Sequence, residues 1–134
     1  MVGGPRSGKT TALRSAAAAL SWPLLNLNVA LAERLLAVPV KHRDVRVSDL
    51  AHEVAANHPG EGLIVDNIEL LFQVDLKADT GALLRSLSRQ RPVIAAWPGE
   101  LTGTTLTYAT SLHPEYTAWS RPEARILQLS GFAE

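Results

Sequence analysis

The segment Gly3-Gly4-Pro5-Arg6-Ser7-Gly8-Lys9-Thr10 fits the pattern G-x-x-x-x-G-K-[ST] at every fixed position. It constrains the fold more than any other feature of the chain. Glycines let a backbone curl around an anion with successive amides pointing inward and no Cβ in the way. The loop must then open directly into a helix, whose first amides and dipole favour negative charge. In that geometry Lys9 reaches the terminal phosphates, the Thr10 hydroxyl ligates magnesium, and Thr11 stands near the α-phosphate. Four fixed positions coincide by chance in roughly one chain of this size in two hundred. The spacing therefore predicts a site for a nucleoside triphosphate, ATP with Mg2+, held by residues Gly3, Gly4, Pro5, Arg6, Ser7, Gly8, Lys9, Thr10 and Thr11.

Such a loop joins a strand to a helix, and only Met1 and Val2 precede it. The strand that aims the loop is expected to be missing or truncated. A start codon placed too late, a removed upstream segment and a strand supplied by a partner would each account for that. After the loop, Lys9 to Leu20 is alanine-rich and predicts a helix ending before Pro23. Leu24 to Val29 reads as a strand, and Leu31 to Leu36 as a short helix closed by Pro39. Ser48 suits the N-cap of a helix running to Asn57, with a turn at Pro59-Gly60. Leu63 to Asp66 and Val93 to Trp97 are short apolar strands. Ile68 to Phe72 begins one helix and Thr80 to Arg89 forms another. Glu100 to Arg121 reads as polar and irregular, and Arg125 to Leu129 as a last strand. Strands alternating with helices predict an α/β fold, a three-layer domain with a mainly parallel sheet. At 134 residues the chain suits a single nucleotide-binding domain spanning 1–134.

Leu63-Ile64-Val65-Asp66 ends an apolar strand on a carboxylate, which can hold magnesium beside the phosphate loop. Thr10 and Asp66 are thus the expected metal residues. The residue after Asp66 is Asn67, whose amide can orient a water but cannot take its proton. Glu69 is the best substitute carboxylate, ahead of Glu100 and Glu115. Trp97 could stack on a base or fill the core. Thr102, Thr104 and Thr105 are candidate γ-phosphate sensors. His113-Pro114-Glu115-Tyr116 offers too few convergent ligands for a metal site.

Composition narrows the class further. Acidic and basic side chains balance at 13 each, which argues against a duplex-binding surface, so DNA is at most an indirect partner. The basic clusters Lys41, Arg43, Arg46 and Arg85, Arg89, Arg91 read as solvated helix faces. There is no cysteine, so disulfides and thiolate metal sites are absent. No apolar run approaches the ~20 residues of a membrane span. The N-terminus lacks a signal pattern, and the chain reads as cytoplasmic with no membrane partner.

Asp66-Asn67-Ile68-Glu69-Leu70-Leu71-Phe72 is similar to the segment after the magnesium aspartate in AAA-type ATPases, where a glutamate usually follows the aspartate. That resemblance implies an additional-strand sheet, with Val93–Trp97 inserted beside the phosphate-loop strand. It also makes Arg121, with Arg125, a candidate for an arginine reaching a neighbour's nucleotide in a homo-oligomer. With Asn26-Leu27-Asn28, Ala96-Trp97-Pro98-Gly99-Glu100, Leu106-Thr107-Tyr108-Ala109 and His113-Pro114-Glu115-Tyr116, the whole chain resembles the BrxF family, small P-loop proteins of type 3 BREX bacteriophage-defence systems. The resemblance implies ATP binding through Lys9, Thr10 and Asp66, and action among other BREX proteins.

The expectation is an ATP-binding subunit that hydrolyses slowly, with Glu69, Asn67 and Arg121 as candidate catalytic residues. One alternative is a nucleotide-gated interaction module in which hydrolysis hardly matters. Another is an AAA-like, DNA-associated ATPase.

Overall fold

The computed structural model describes residues 1–3 and 8–129 of the chain. Its first element, helix α1 (Lys9–Leu20), matches the alanine-rich run. It ends where Ser21 turns into the left-handed region at φ 56°, and Trp22 donates to the Ala17 carbonyl at 3.2 Å. Strand β1 (Leu24–Asn26) is shorter than the alternation suggests. The Asn26 side chain accepts from the Val29 amide at 3.2 Å and caps a helix there, so Leu27-Asn28-Val29 leave the strand and open α2 (Leu27–Leu35).

Helix α3 (Arg43–Ala56) starts five residues before Ser48, which is an interior residue and not the cap. A turn of 3₁₀ helix at Val40–His42 leads into it, and Asp44 in its first turn complements the dipole. Val47, Leu50, Ala51 and Val54 form its buried stripe. At its far end Arg91 donates to the carbonyls of Ala55 and His58, both at 2.7 Å. That arginine satisfies helix-end carbonyls and is no phosphate ligand. Strand β2 (Leu63–Asp66) follows, then 3₁₀ turns at Glu69–Phe72 and Val74–Leu76, where a helix was expected from Ile68. Helix α4 (Thr80–Ser88) is capped by Asp79, whose carboxylate accepts from the Ala82 amide at 3.0 Å.

Strand β3 (Val93–Ala95) completes a parallel sheet ordered β1-β2-β3, with Asn26 beside Asp66 and Val65 beside Ala95. Its side chains alternate between two layers. Ile64 and Ala96 pack with Leu13 and the alanines of α1 on one face. Leu25, Leu63 and Val65 meet α2, α3 and α4 on the other, through Leu31, Leu50 and Leu83 among others. All four residues of β2 are buried, as a central parallel strand requires. The chain is thus mixed α/β, with helices on both faces of the parallel sheet.

Beyond β3, Val2 pairs in parallel with Trp97 on one side and with Gln128 on the other. Met1 donates to Ala95 at 2.8 Å and accepts from Trp97 at 2.6 Å, while Val2 donates to Leu127 at 2.7 Å and accepts from Leu129 at 2.8 Å. The expected strand at Arg125–Leu129 is reduced to that pairing about Gln128, because a ladder runs only as far as its neighbour.

The stretch expected to be irregular is folded. It contains β4 (Glu100–Thr102), β5 (Thr105–Tyr108) and β6 (Thr117–Ser120), an antiparallel sheet in that order. It docks through aromatic rings. Phe72 stacks on Tyr108 with centroids 4.0 Å apart and meets Trp97 edge-on at 5.3 Å, and Trp97 lies 6.0 Å from Trp119. No helix among the described residues is long and apolar enough to cross a membrane.

Candidate functional site

The carboxyl ends of β1 and β2, the N-terminus of α1 and the Asn67–Phe72 turn meet at one edge of the parallel sheet. Gly8 stands at the helix entry in a left-handed conformation, φ 88°, which a side chain would oppose. Among the described residues no acidic residue occupies the first turn of α1, and the carboxylate that meets this positive end is Asp66, through Thr10. Gly4, Pro5, Arg6 and Ser7 lie outside the described residues. Gly3, Gly8, Lys9, Thr10 and Thr11 lie within them. Thr11 is exposed on the first turn of α1.

Lys9 donates from Nζ to the Gly3 carbonyl at 2.6 Å, across the mouth of the loop. Burial pushes its pKa below the ordinary lysine value, against the opposing pull of Glu69 and then Asp66. Both carboxylates therefore stand close enough to the ammonium to be felt. The Thr10 hydroxyl donates to Asp66 Oδ2 at 2.9 Å, and Asp66 Oδ1 accepts from the Asn67 amide at 2.9 Å. Asp66 is only 6% exposed. The fold thus brings Lys9, Thr10, Asp66 and Glu69 together from two distant parts of the sequence.

Asn67 adopts φ 55° and turns the chain sharply after β2. Its carbonyl accepts from the Asn28 amide at 2.8 Å. Asn28 does more. Its Oδ1 accepts from the Leu70 amide at 2.8 Å and its Nδ2 donates to Glu69 Oε1 at 3.4 Å, a long bond. One side chain therefore fixes the turn that carries both catalytic candidates. Sequence reasoning gave Asn28 no role. The available signal was a polar pair, Asn26 and Asn28, interrupting an apolar run at the end of a strand.

Tyr108 was also missed. It lies half-buried, stacked on Phe72, and its hydroxyl is held above the usual tyrosine range by burial, then by Glu115 and Glu69. Tyr108 thus packs, through Phe72, against the 3₁₀ turn that carries Glu69.

Other candidates lie apart. Trp97 is 3% exposed and donates from Nε1 to the Thr107 carbonyl at 2.9 Å, so it is a core residue and cannot stack on a base. Arg121 is exposed, with φ 50°, and its amide donates to Thr104 at 2.8 Å, at the opposite end of β5 from Tyr108. Thr102 and Thr104 share that remote hairpin tip, and Arg125 is exposed beyond it. His113 accepts from the Glu115 amide at 3.0 Å in a surface turn. Among the described residues no group of three or more His, Asp or Glu is placed to hold a metal ion unaided. A magnesium that takes its remaining ligands from phosphate and water needs only one or two protein oxygens, which Thr10 and Asp66 can offer.

Comparison with protein-family models, with curated proteins and with solved structures gave no match to this chain.

Proposed function

We propose that this chain is a P-loop ATP-binding protein that holds magnesium-ATP at the Lys9, Thr10 and Asp66 cluster and hydrolyses it slowly. The observation that carries the reading is the Thr10 hydroxyl on the Asp66 carboxylate at 2.9 Å, with Lys9 beside them. A hydroxyl and a carboxylate in contact form a hard oxygen pair suited to magnesium. The order β1-β2-β3-Val2-Gln128 supports a P-loop fold of the additional-strand kind, since β3 lies between the aspartate strand and the residues preceding the loop.

Magnesium, when bound, would neutralise phosphate charge. The chain's own residues would do the rest. Lys9 would exchange its bond to Gly3 for phosphate oxygens, and the amides at the start of α1 would face the same charge. Hydrolysis breaks the terminal P–O bond as water attacks, and the water's proton must go to a base. Asn67 cannot accept it, which leaves Glu69, whose carboxylate is engaged by Asn28. Weak activation of water is the expected result. The resemblance to the BrxF family makes BREX phage-defence proteins the proposed partners, with a homo-oligomer as the arrangement in which Arg121 would serve a neighbouring site.

A second reading, a nucleotide-gated interaction module, is favoured by Asn67 and by the placement of Glu69. The turn that carries Glu69 also carries Phe72, on which Tyr108 of the antiparallel sheet stacks. A nucleotide that moved Glu69 would press on that sheet, with or without hydrolysis.

Titration of fluorescent ATP with magnesium against the chain and its Lys9→Ala variant tests the proposal. The variant should bind roughly ten- to a hundredfold more weakly, the equivalent of one charged hydrogen bond of about 1.5–3 kcal/mol. Equal affinity of the two proteins would remove the phosphate-site reading.

A further inference from the structure

Tyr108 closes β5 and is set there by the ladder, opposite Thr117 of β6, so its ring is placed by a sheet and not by a loop. It lies on Phe72 with centroids 4.0 Å apart and ring planes 10° from parallel. Phe72 is braced edge-on by Trp97, whose Nε1 donates to Thr107, the residue before Tyr108. Ring and platform are therefore fixed relative to each other. Phe72 also ends the 3₁₀ turn that Glu69 begins. In such a turn the side chains at i and i+3 eclipse, so Glu69 and Phe72 leave it on the same side. The antiparallel sheet meets that side through Tyr108.

The two polar groups are chemically complementary. Burial first, then Glu115, then Glu69 hold the Tyr108 hydroxyl above the ordinary tyrosine range, so it keeps its proton and serves a carboxylate as a donor. Glu69 is held only loosely by its other donor. The bond from Asn28 Nδ2 is 3.4 Å long, at the limit of a hydrogen bond. A hydroxyl donating to a carboxylate closes to about 2.5–2.7 Å and makes one of the stronger hydrogen bonds.

We infer that Tyr108 is a positioning residue for hydrolysis: with nucleotide bound, its hydroxyl takes the Glu69 carboxylate over from Asn28 and holds it against the attacking water. The inference rests on the hydrolytic reading above. Asn28 still accepts from the Leu70 amide in both arrangements, so the turn stays in place and only the Glu69 side chain rotates. No proton leaves Tyr108. The water oxygen bonds to the terminal phosphorus, the P–O bond to ADP breaks, and the water's proton goes to Glu69. The phenol fixes which way that base faces, and the antiparallel sheet thereby becomes part of the working site.

Tyr108→Phe keeps the ring and its stack on Phe72 and removes only the hydroxyl. Phosphate release from magnesium-ATP is followed with the full chain, and binding with the same fluorescent nucleotide. KM and binding should be unchanged while kcat falls roughly tenfold, the worth of one hydrogen bond to a charged group. Tyr116→Phe, the same change at the other of the chain's two tyrosines, should alter neither. In Glu69→Asp, whose shorter side chain draws the carboxylate away from Tyr108, adding Tyr108→Phe should cost nothing further. An unchanged kcat in Tyr108→Phe would overturn the inference and leave the nucleotide site standing, as would a parent that binds magnesium-ATP without turning it over. The same loss in the Glu69→Asp background would also overturn it, because the hydroxyl would then act elsewhere, Glu115 being the other carboxylate it feels. A parent that binds no magnesium-ATP would remove the phosphate site and this inference together.

Discussion

At the scale of single residues, the site divides into parts that spacing reveals and parts that only folding assembles. That Gly8, Lys9 and Thr10 would stand near Asp66 was legible from the fixed spacing of the first three and from an apolar strand that ends on a carboxylate. Asn28 was not, since its contacts with Glu69 and Leu70 span 41 and 42 positions of sequence. Its importance lies in what its removal would strand. Asn28→Ala leaves the partly buried Leu70 amide without an acceptor, a loss of about 1–3 kcal/mol. Asn28→Asp keeps an acceptor for Leu70 but sets a second carboxylate against Glu69. Both variants should unfold at lower urea than the parent with an unchanged slope, and a midpoint within error of the parent would show that the turn does not depend on Asn28. The loss in Asn28→Asp relative to the parent reports the Glu69 contact, because that variant keeps the acceptor for Leu70 and changes only what faces the Glu69 carboxylate.

Among the elements, the parallel strands and their helices were legible from apolar runs and breakers, while the antiparallel sheet was not. Its strands are rich in threonine and only Leu106 is buried, so the run lacks the apolar weight that marks a strand. The overlooked signal was the turn, Thr102-Gly103-Thr104, where Gly103 takes φ 62° at the hairpin tip. Besides its aromatic contacts, this sheet rests on α4. The indole of Trp119 lies so close to Gly81 that a Cβ there would stand 2.8 Å from its ring. Helix propensity and packing therefore oppose each other at one position. Alanine should favour the helix by about 1 kcal/mol over glycine, but displacing the indole should cost about 1–3 kcal/mol. Gly81→Ala is expected to destabilise the protein and to change the near-ultraviolet signal of tryptophan. A stabilised variant with an unaltered signal would mean that the sheet does not rest on α4 in solution.

For the whole molecule, the layers follow from the alternation of helices and strands, whereas the place of Val2 between Trp97 and Gln128 could not be read from two residues of sequence. That placement joins the two ends of the described chain to the sheet, so residues 1–3 are held by a short double-sided pairing. Among the described residues α1 is the only helix over its face, where the fully buried cluster is Leu13, Ile64 and Ala96. A domain so thinly covered beside its loop should draw much of its stability from whatever fills the loop. Linkage gives the size: a ligand at a hundred times its dissociation constant adds about 2.7 kcal/mol to a fold that binds it only in the native state. For a chain of this length that corresponds to a rise in Tm of roughly 10 °C. Magnesium-ATP should produce such a rise in the parent, and magnesium alone should not, since Thr10 and Asp66 supply too few ligands without phosphate. A non-hydrolysable analogue should match ATP, because the shift reports binding and not turnover. Lys9→Ala at the same nucleotide concentration should keep at most half the rise, because a ten- to hundredfold weaker site is nearer to half-saturation. A full rise in that variant would locate the nucleotide elsewhere on the molecule, away from α1 and Asp66.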